Sequence, residues 1–131
     1  MKLLIGASIT IALLSGCSTK VATSTSTVSP TLYGTATANS ALITVTRDSG
    51  IVGAACAAKL SIDNKVVAKL KPSDSVKLNV PSGRHILSFD TRGGLCPSVS
   101  DAVEVTLSKG DDKRYRIRAD TNGNFQLLPT L

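Results

Sequence analysis

From Ala41 onward the sequence alternates apolar with polar residues, and this period of two limits the fold more than any other feature. In a strand, such alternation places every second side chain on one buried face. No stretch carries the apolar stripe that a helix repeats every three or four residues. The alternating segments lie between turn residues and span 42–47, 59–63, 65–71, 75–80, 84–92, 101–108, 113–119 and 125–128. The pattern predicts an all-β domain over residues 41–131, a small antiparallel β-sandwich of about seven to eight strands.

Turn residues indicate how these strands connect. Asp63 and Asn64 predict a tight turn between two strands, and residues 81–83 predict another. The Asn-Gly pair at 122–123 is the strongest hairpin signal in the chain. Residues 50–58 are the weakest part of the pattern and fit either a loop or one helical turn.

The N-terminus has the architecture of a secretory signal peptide. Lys2 precedes a short apolar run, residues 3–14, which is too short to span a bilayer as a permanent helix. The sequence LSGC, which ends at Cys17, resembles the lipobox of bacterial lipoproteins. In that family the signal peptide is removed before the cysteine, which carries a diacylglyceryl thioether and an acylated amine. The resemblance implies a signal peptide over residues 1–16 and lipidation of Cys17. The alternative is an ordinary cleaved signal with a chance cysteine at its end.

A lipidated Cys17 would fix the mature chain to a membrane outside the cytoplasm. Each buried methylene contributes about 0.8 kcal/mol, and about two acyl chains already anchor a protein stably. Ser18 stands where an inner-membrane retention signal usually has Asp. By resemblance to the sorting of enterobacterial lipoproteins, this implies a lipid-anchored outer-membrane protein that faces the periplasm of a Gram-negative host.

Residues 17–40 differ in composition from the rest of the chain, because twelve of the residues from 18 to 40 are Ser or Thr. Such a segment buries too little apolar surface to offset its ordering entropy. We therefore expect residues 17–40 to be a disordered, lipidated tether that leads to the domain. Leu32 and Tyr33 are its one apolar point and the candidates for a contact with the domain.

Cysteine usage predicts one disulfide bond. If Cys17 is lipidated, Cys56 and Cys96 remain, and outside the cytoplasm such a pair is expected to be bonded. The bond would close a loop of about forty residues and stabilise the domain by roughly 4 kcal/mol. A reactive or redox thiol is the alternative, but neither cysteine has the CxxC spacing typical of that chemistry.

Basic residues give the chain a formal net charge of +6, which favours anionic neighbours such as lipid head groups. Arg114, Arg116 and Arg118 alternate along one predicted strand, so they lie about 7 Å apart on one face. Such a row can bind phosphates or carboxylates through paired hydrogen bonds. The alternative is a solvated strand face without a ligand. Lysines on neighbouring strands would extend the row, and the candidates are Lys69, Lys71 and Lys77.

Few side chains are available for catalysis. His85 is the only histidine, and no spacing links it to Asp90 or Asp101, so we expect it to be packed or hydrogen-bonded after the turn at 81–83. Glu104 is the only glutamate and is expected to face outward alone, whereas a glycosidase needs a pair of carboxylates. We therefore expect no catalytic residues and a protein that is not an enzyme.

The sequence also offers little to a metal, a cofactor or a nucleic acid. Residues 109–113 and 120–124 lack the ligand spacing of a calcium loop, and we expect a polar hairpin loop and an Asn-Gly turn there. Aromatic residues make up 3% of the chain, too few to provide the stacking platforms of a nucleic-acid site. We expect no metal site, no cofactor and no nucleic-acid partner.

A longer pattern extends over about residues 42–129. It consists of IDNKVVAKL at 62–70, VKL at 76–78 and PSGRH at 81–85, with Gly110 and Tyr115 near a later element. This order resembles small bacterial lipoproteins of undefined function with a domain of the DUF2846 type, itself similar to PEGA-like surface β-domains. The resemblance implies a surface β-domain and carries over no catalytic residue.

Together these features predict a non-catalytic, membrane-anchored envelope lipoprotein that acts as a binding or structural module. The expected partners are the membrane, through the lipid, and an envelope protein or an anionic envelope polymer. Anchoring would raise the effective concentration of a weakly binding face near the membrane. The alternatives are an inhibitor of a cell-wall enzyme and a mobile-element lipoprotein linked to phage exclusion or conjugation. The pattern leaves the oligomeric state open.

Overall fold

The computed structural model describes residues 18–50, 54–120 and 122–130. The predicted signal peptide, residues 1–16, and Cys17 lie outside these described residues. Within the described ranges the chain forms nine strands and no helix. The strands are β1 (Ser26–Thr27), β2 (Ser40–Arg47), β3 (Ala58–Ile62), β4 (Lys65–Leu70), β5 (Asp74–Pro81), β6 (Gly83–Asp90), β7 (Ser100–Leu107), β8 (Asp112–Ala119) and β9 (Phe125–Thr130).

Two sheets pack face to face, which confirms the predicted all-β sandwich. The larger sheet has five strands in the order β1-β5-β2-β8-β9, and the smaller has four in the order β4-β3-β6-β7. Most neighbouring strands are antiparallel, but β2 runs parallel to β8 and β1 runs parallel to β5. The larger sheet is therefore mixed, because the chain crosses from the edge of the smaller sheet to the interior of the larger one between β7 and β8. The additional strand, β1, lies within the predicted tether.

Alternation along the strands decides which side chains are buried. In β2 every second residue is buried between the sheets. In β8 the predicted inward residues Tyr115, Ile117 and Ala119 are buried. The largest fully buried side chains are Phe89, Ile43, Leu60, Ile62, Leu70, Leu78, Leu87 and Ile117. The core is thus mainly aliphatic and contains residues from both sheets.

The turns follow the predicted chemistry at two places and differ at a third. Asp63 and Asn64 have φ angles of 50° and 65°, which a two-residue hairpin turn between β3 and β4 requires. Gly123 has a φ of 79° in the hairpin that joins β8 to β9. The prediction of a hairpin loop at 109–113 is wrong, because β7 and β8 belong to different sheets and this loop carries the chain across the sandwich.

The described part of the predicted tether lies along the sandwich, and we call residues 18–34 the strap. The backbone N–H of Thr19 donates to the carbonyl oxygen of Ala119 (3.1 Å). Lys20 and Ser49 exchange two backbone hydrogen bonds of 2.9 Å. For the strap, the prediction of a disordered tether is therefore wrong.

The strap covers two sheet edges on the same side of the sandwich. Along the edge of β5, β1 pairs with the strand, and the Val28 N–H donates to the Ser75 carbonyl (2.8 Å). At the edge of β4, the Thr31 N–H donates to Val67 (2.8 Å) and its hydroxyl donates to the Val66 carbonyl (3.0 Å). Main-chain hydrogen bonds of this kind do not depend on apolar side chains. The Ser/Thr-rich composition of the strap therefore does not reveal them.

The two apolar strap residues that were candidates for a domain contact behave differently. Tyr33 is half-buried and packs against the core, and its carbonyl accepts a hydrogen bond from the Asn79 N–H (2.7 Å). Leu32 remains exposed. Tyr33 alone therefore gives the strap its aromatic contact with the domain.

One end of the sandwich, which we call the disulfide end, is held by the predicted disulfide and by a buried arginine. The sulfur atoms of Cys56 and Cys96 are bonded (2.13 Å) and join the loop before β3 to the loop after β6. The buried Arg47 guanidinium donates to the carbonyls of Cys56 and Leu70 and lies 5.8 Å from the ring centre of Phe125. Burial lowers the pKa of Arg47. Its hydrogen bonds tie β2 to the disulfide loop and to the end of β4.

Candidate functional site

The outer face of the five-stranded sheet carries the predicted arginine row. In β8 the buried residues alternate with Arg114, Arg116 and Arg118, so these three point away from the core on one face. Arg114 is exposed, whereas Arg116 and Arg118 are half-buried. A terminal nitrogen of Arg114 is 3.7 Å from the carboxylate of Asp112 at the surface. Arg114 is thus the most accessible cation of the row.

Arg116 is bound by a carboxylate that the sequence did not indicate. Its Nε donates to Oδ1 of Asp48 (3.0 Å), and a terminal nitrogen of its guanidinium pairs with Oδ2. The Asp48 side chain is 2% exposed and also accepts a hydrogen bond from the Thr19 hydroxyl (2.9 Å). Because a buried carboxylate is costly without such partners, Arg116 stabilises the fold and the attachment of the strap. Asp48 follows β2 with no pattern in the sequence that would signal this role.

The strap and the sheet enclose a groove of about 660 Å³ on this face, a volume within the usual range for small-ligand sites. In the register of the sheet, Thr44 of β2 lies beside Lys77 of β5 on one side and beside Arg114 of β8 on the other. Neighbouring strands are about 4.8 Å apart, so the backbone positions of the two cations are roughly 10 Å apart. Two cations at this spacing can both donate hydrogen bonds to a carboxylate or a phosphate group that lies over Thr44.

The groove combines both signs of charge with hydroxyl groups. The charged residues that line it are Lys77, Arg114, Arg116, Asp48 and Asp112. Asp48 and Arg116 bind each other closely, whereas Arg114 and Asp112 are 3.7 Å apart at the surface. The cations most available to a ligand are therefore Lys77 and Arg114. Lys77 thus extends the arginine row. Lys69 lies on β4 of the smaller sheet and Lys71 in the following link, so neither of them lines the groove.

His85 lies at the opposite end of the sandwich, where the β3–β4 and β5–β6 turns meet, and we call this the turn end. Its Nδ1 is 2.6 Å from Oδ2 of Asp63, and its Nε2 is 2.7 Å from the Pro81 carbonyl oxygen. The Ile86 N–H donates to the other oxygen of Asp63 (2.9 Å). The hydrogen bond with His85, followed by that with Ile86, lowers the pKa of Asp63. His85 is hydrogen-bonded after its turn, as predicted, but its acidic partner comes from the turn between β3 and β4.

The other polar residues singled out in the sequence form an exposed ion pair or hydrogen bonds within a turn. Glu104 is exposed, as expected, and pairs with Arg84 at 2.9 Å. The carboxylate of Asp120 accepts hydrogen bonds from the backbone N–H groups of Asn124 and Asn122, at 2.9 Å each, and these lower the pKa of Asp120. In the described ranges, no three His, Cys, Asp or Glu side chains come close enough together to hold a metal ion.

The described ranges include no helix of the length and hydropathy needed to cross a membrane. A comparison of the sequence with models of known protein families finds no match, and a comparison with curated proteins finds none either. The resemblance to DUF2846-type lipoproteins therefore stays a prediction from the residue pattern.

Proposed function

We propose that this chain is a non-catalytic envelope lipoprotein, held at a membrane by lipid on Cys17, whose sandwich binds an acidic envelope component. The proposal starts from the signal-peptide pattern and from the LSGC sequence that ends at Cys17. It places the protein at the outer membrane, facing the periplasm, because Ser18 stands at the sorting position.

The observation that carries the proposal is where the strap begins. Thr19 follows Cys17 by two residues and is fixed to the sheet. Its hydroxyl donates to Asp48 (2.9 Å) and accepts a hydrogen bond from the Ala119 N–H (2.9 Å). A chain extends at most about 3.5 Å per residue, so a lipid carried two residues before Thr19 would be attached within roughly 7 Å of it. A lipid on Cys17 would therefore hold the sandwich directly against the bilayer, without a long tether.

The groove supplies the binding surface in this proposal. Lys77 and Arg114 flank Thr44, and the hydroxyl group of Thr44 adds a hydrogen-bond donor between the two charges. Carboxylate and phosphate oxygens accept hydrogen bonds from such groups, and charge strengthens these bonds. A protein anchored to a membrane meets acidic envelope groups at high effective concentration, so modest affinity is sufficient.

The contacts of His85 support the non-catalytic part of the proposal. Its two ring nitrogens contact the carboxylate of Asp63 and the carbonyl of Pro81. A general base needs a ring nitrogen within hydrogen-bond reach of the proton that it removes from a substrate. The contacts of His85 hold β6 to the two neighbouring turns instead.

Cys17→Ala tests the anchor. We expect the variant to remain unprocessed or to leave the membrane fraction, because it cannot carry the thioether-linked lipid. Ser18→Ala is the matched control and is expected to stay acylated and membrane-bound. Membrane fractionation and intact-mass spectrometry measure both properties. A natural chain free of acyl groups, or unchanged fractionation of Cys17→Ala, would contradict the proposal.

The double variant Lys77→Gln/Arg114→Gln tests the groove. Full-length protein is applied in detergent to a phosphate-bearing cation-exchange resin, and the salt concentration that elutes it is measured. We expect the double variant to elute at distinctly lower salt, because it loses both cations that flank Thr44. Lys65→Gln/Arg84→Gln removes the same two charge types from the smaller sheet and is the matched control. Equal elution of the two double variants would show that only net charge matters and would reject the groove.

A further inference from the structure

We propose that the disulfide end faces the bilayer and that Leu95 inserts into the lipid interface as a second, non-covalent membrane contact. This inference rests on the proposed lipid anchor at Cys17. It adds a fixed orientation of the sandwich on the membrane, which the anchor alone does not provide.

A series of contacts places Leu95 and the start of the strap at the same end of the sandwich. The strap pairs with the loop that follows β2. Arg47, the last residue of β2, donates to the carbonyl of Cys56. Cys56 is bonded to Cys96, the chain neighbour of Leu95. The start of the strap, from which the chain leads back to Cys17, therefore lies at the disulfide end. The loop that contains Leu95 lies at the same end.

Leu95 occupies a turn with a fixed geometry. The Cys96 N–H donates to the Gly93 carbonyl (3.0 Å), and the disulfide bond holds Cys96 to the sandwich. Gly93 and Gly94 have φ angles of 138° and 56°, which glycine adopts without strain. Between them, the turn and the disulfide leave the Leu95 side chain fully exposed. The Leu95 side chain thus points into solvent from a turn that the disulfide bond and a backbone hydrogen bond hold in place.

The surroundings of Leu95 suit the boundary between lipid head groups and acyl chains. Ala55 and Pro97 are exposed beside the two bonded cysteines. Lys20 and Arg92 are exposed cations of the same end and can meet lipid phosphates. Moving the apolar surface of Leu95 from water into acyl chains is favourable. The acidic residues of this end accept hydrogen bonds from the protein itself, and they are Asp48, Asp74, Asp90, Asp101 and Asp120.

Distance also favours the disulfide end over the turn end. An anchor at Cys17 holds Thr19 within roughly 7 Å of the lipidated residue. Interfacial elements insert about 5–10 Å into a bilayer, so a loop at the disulfide end can reach that depth. The last residue of β6, Asp90, lies at the disulfide end. Ile86 precedes it by four residues, so Ile86 is roughly 13 Å further from this end than Asp90 is.

A single tryptophan can report the orientation, because the natural chain contains none. Leu95→Trp places the reporter at the turn, and Ile86→Trp is the matched control at another exposed apolar position. Each full-length lipoprotein is reconstituted into phosphatidylcholine–phosphatidylglycerol vesicles that contain brominated acyl chains. We expect blue-shifted emission from Leu95→Trp and quenching about twofold or more stronger than for Ile86→Trp.

The outcomes separate this inference from the proposed anchor. Equal quenching of the two variants, or stronger quenching of Ile86→Trp, would overturn the membrane contact of Leu95. Intact mass and vesicle flotation are measured on the same samples. If the protein is acylated and floats with the vesicles but the two variants are quenched equally, the result rejects the membrane contact of Leu95 and agrees with the proposed anchor. A protein without acyl groups overturns both proposals. Ala55→Trp, at the same end, is expected to be quenched more than Ile86→Trp and replaces Leu95→Trp if that variant does not fold.

Discussion

At the disulfide end a covalent bond and two buried charged side chains hold the loops, whereas at the turn end polar pairs with at least one exposed member do so. Arg47 and Asp48 belong to the first group and are almost fully buried. At the turn end, the side chains of Asp63, Arg84 and Glu104 are about half exposed or more, whereas that of His85 is 13% exposed. Buried partners are strongly coupled to the fold, while exposed ion pairs contribute little. We therefore expect the free energy of unfolding to depend unequally on the two ends.

The largest expected effect comes from removing the disulfide bond. The double variant Cys56→Ser/Cys96→Ser frees a loop with a sequence separation of 40 residues. We expect the free energy of unfolding to fall by about 4 kcal/mol, because the unfolded chain gains conformational entropy. Denaturant unfolding with and without a reducing agent measures the loss. A natural protein whose midpoint does not respond to reduction would contradict the role assigned to the bond.

Arg47→Ala is expected to have the next largest effect. The change leaves the carbonyls of Cys56 and Leu70 without their donor and removes the guanidinium from the Phe125 ring. We expect a loss of about 2–4 kcal/mol. Arg84→Ala, which breaks an exposed ion pair at the turn end, is the control and is expected to cost less than about 1 kcal/mol. Equal losses in thermal unfolding would remove the proposed difference between the ends.

The smallest expected effect concerns pH at the turn end. The pKa of Asp63 is lowered in the folded state from its ordinary value of 3.8, so its ionised form stabilises the fold above that value. This contribution is lost as pH falls through the lowered pKa. Asp63→Asn is therefore expected to cost less than about 1 kcal/mol near neutral pH, with the difference shrinking in acid.

Melting temperatures of the natural chain and of Asp63→Asn, measured from neutral pH to below the ordinary value of 3.8, test this prediction. A difference between the two proteins that stays constant down to strongly acidic pH would show that the ionised carboxylate of Asp63 does not stabilise the turn end.

Much of the fold could be predicted because local side-chain patterns determine it. Alternation in β2 and β8 sets which residues are buried, and the turn at Asp63 and Asn64 follows from residue types that accept positive φ angles. The strap could not be predicted in this way. Its attachment depends on backbone groups of β5 and β4 that become available only after the sheets have formed.

The candidate site was predictable only in part, for a related reason. The strand period places Arg114, Arg116 and Arg118 on one face, but it does not show which carboxylates approach them. Asp48 reaches Arg116 because β2 and β8 run parallel, and this long-range pairing leaves no local signal in the sequence. Residues far apart in the chain therefore decide which cations of the row are available to a ligand.

The strap continues into β2 through the exposed residues 35–39. Its hydrogen bonds are made along the edges of β4 and β5 and, at its start, with Asp48, Ser49 and Ala119. A neighbouring copy of the chain offers the same edges. Two molecules can thus trade straps and keep every one of these hydrogen bonds, which is the condition for reciprocal strand exchange between protomers. A higher local concentration of the chain favours such an interlocked pair by mass action.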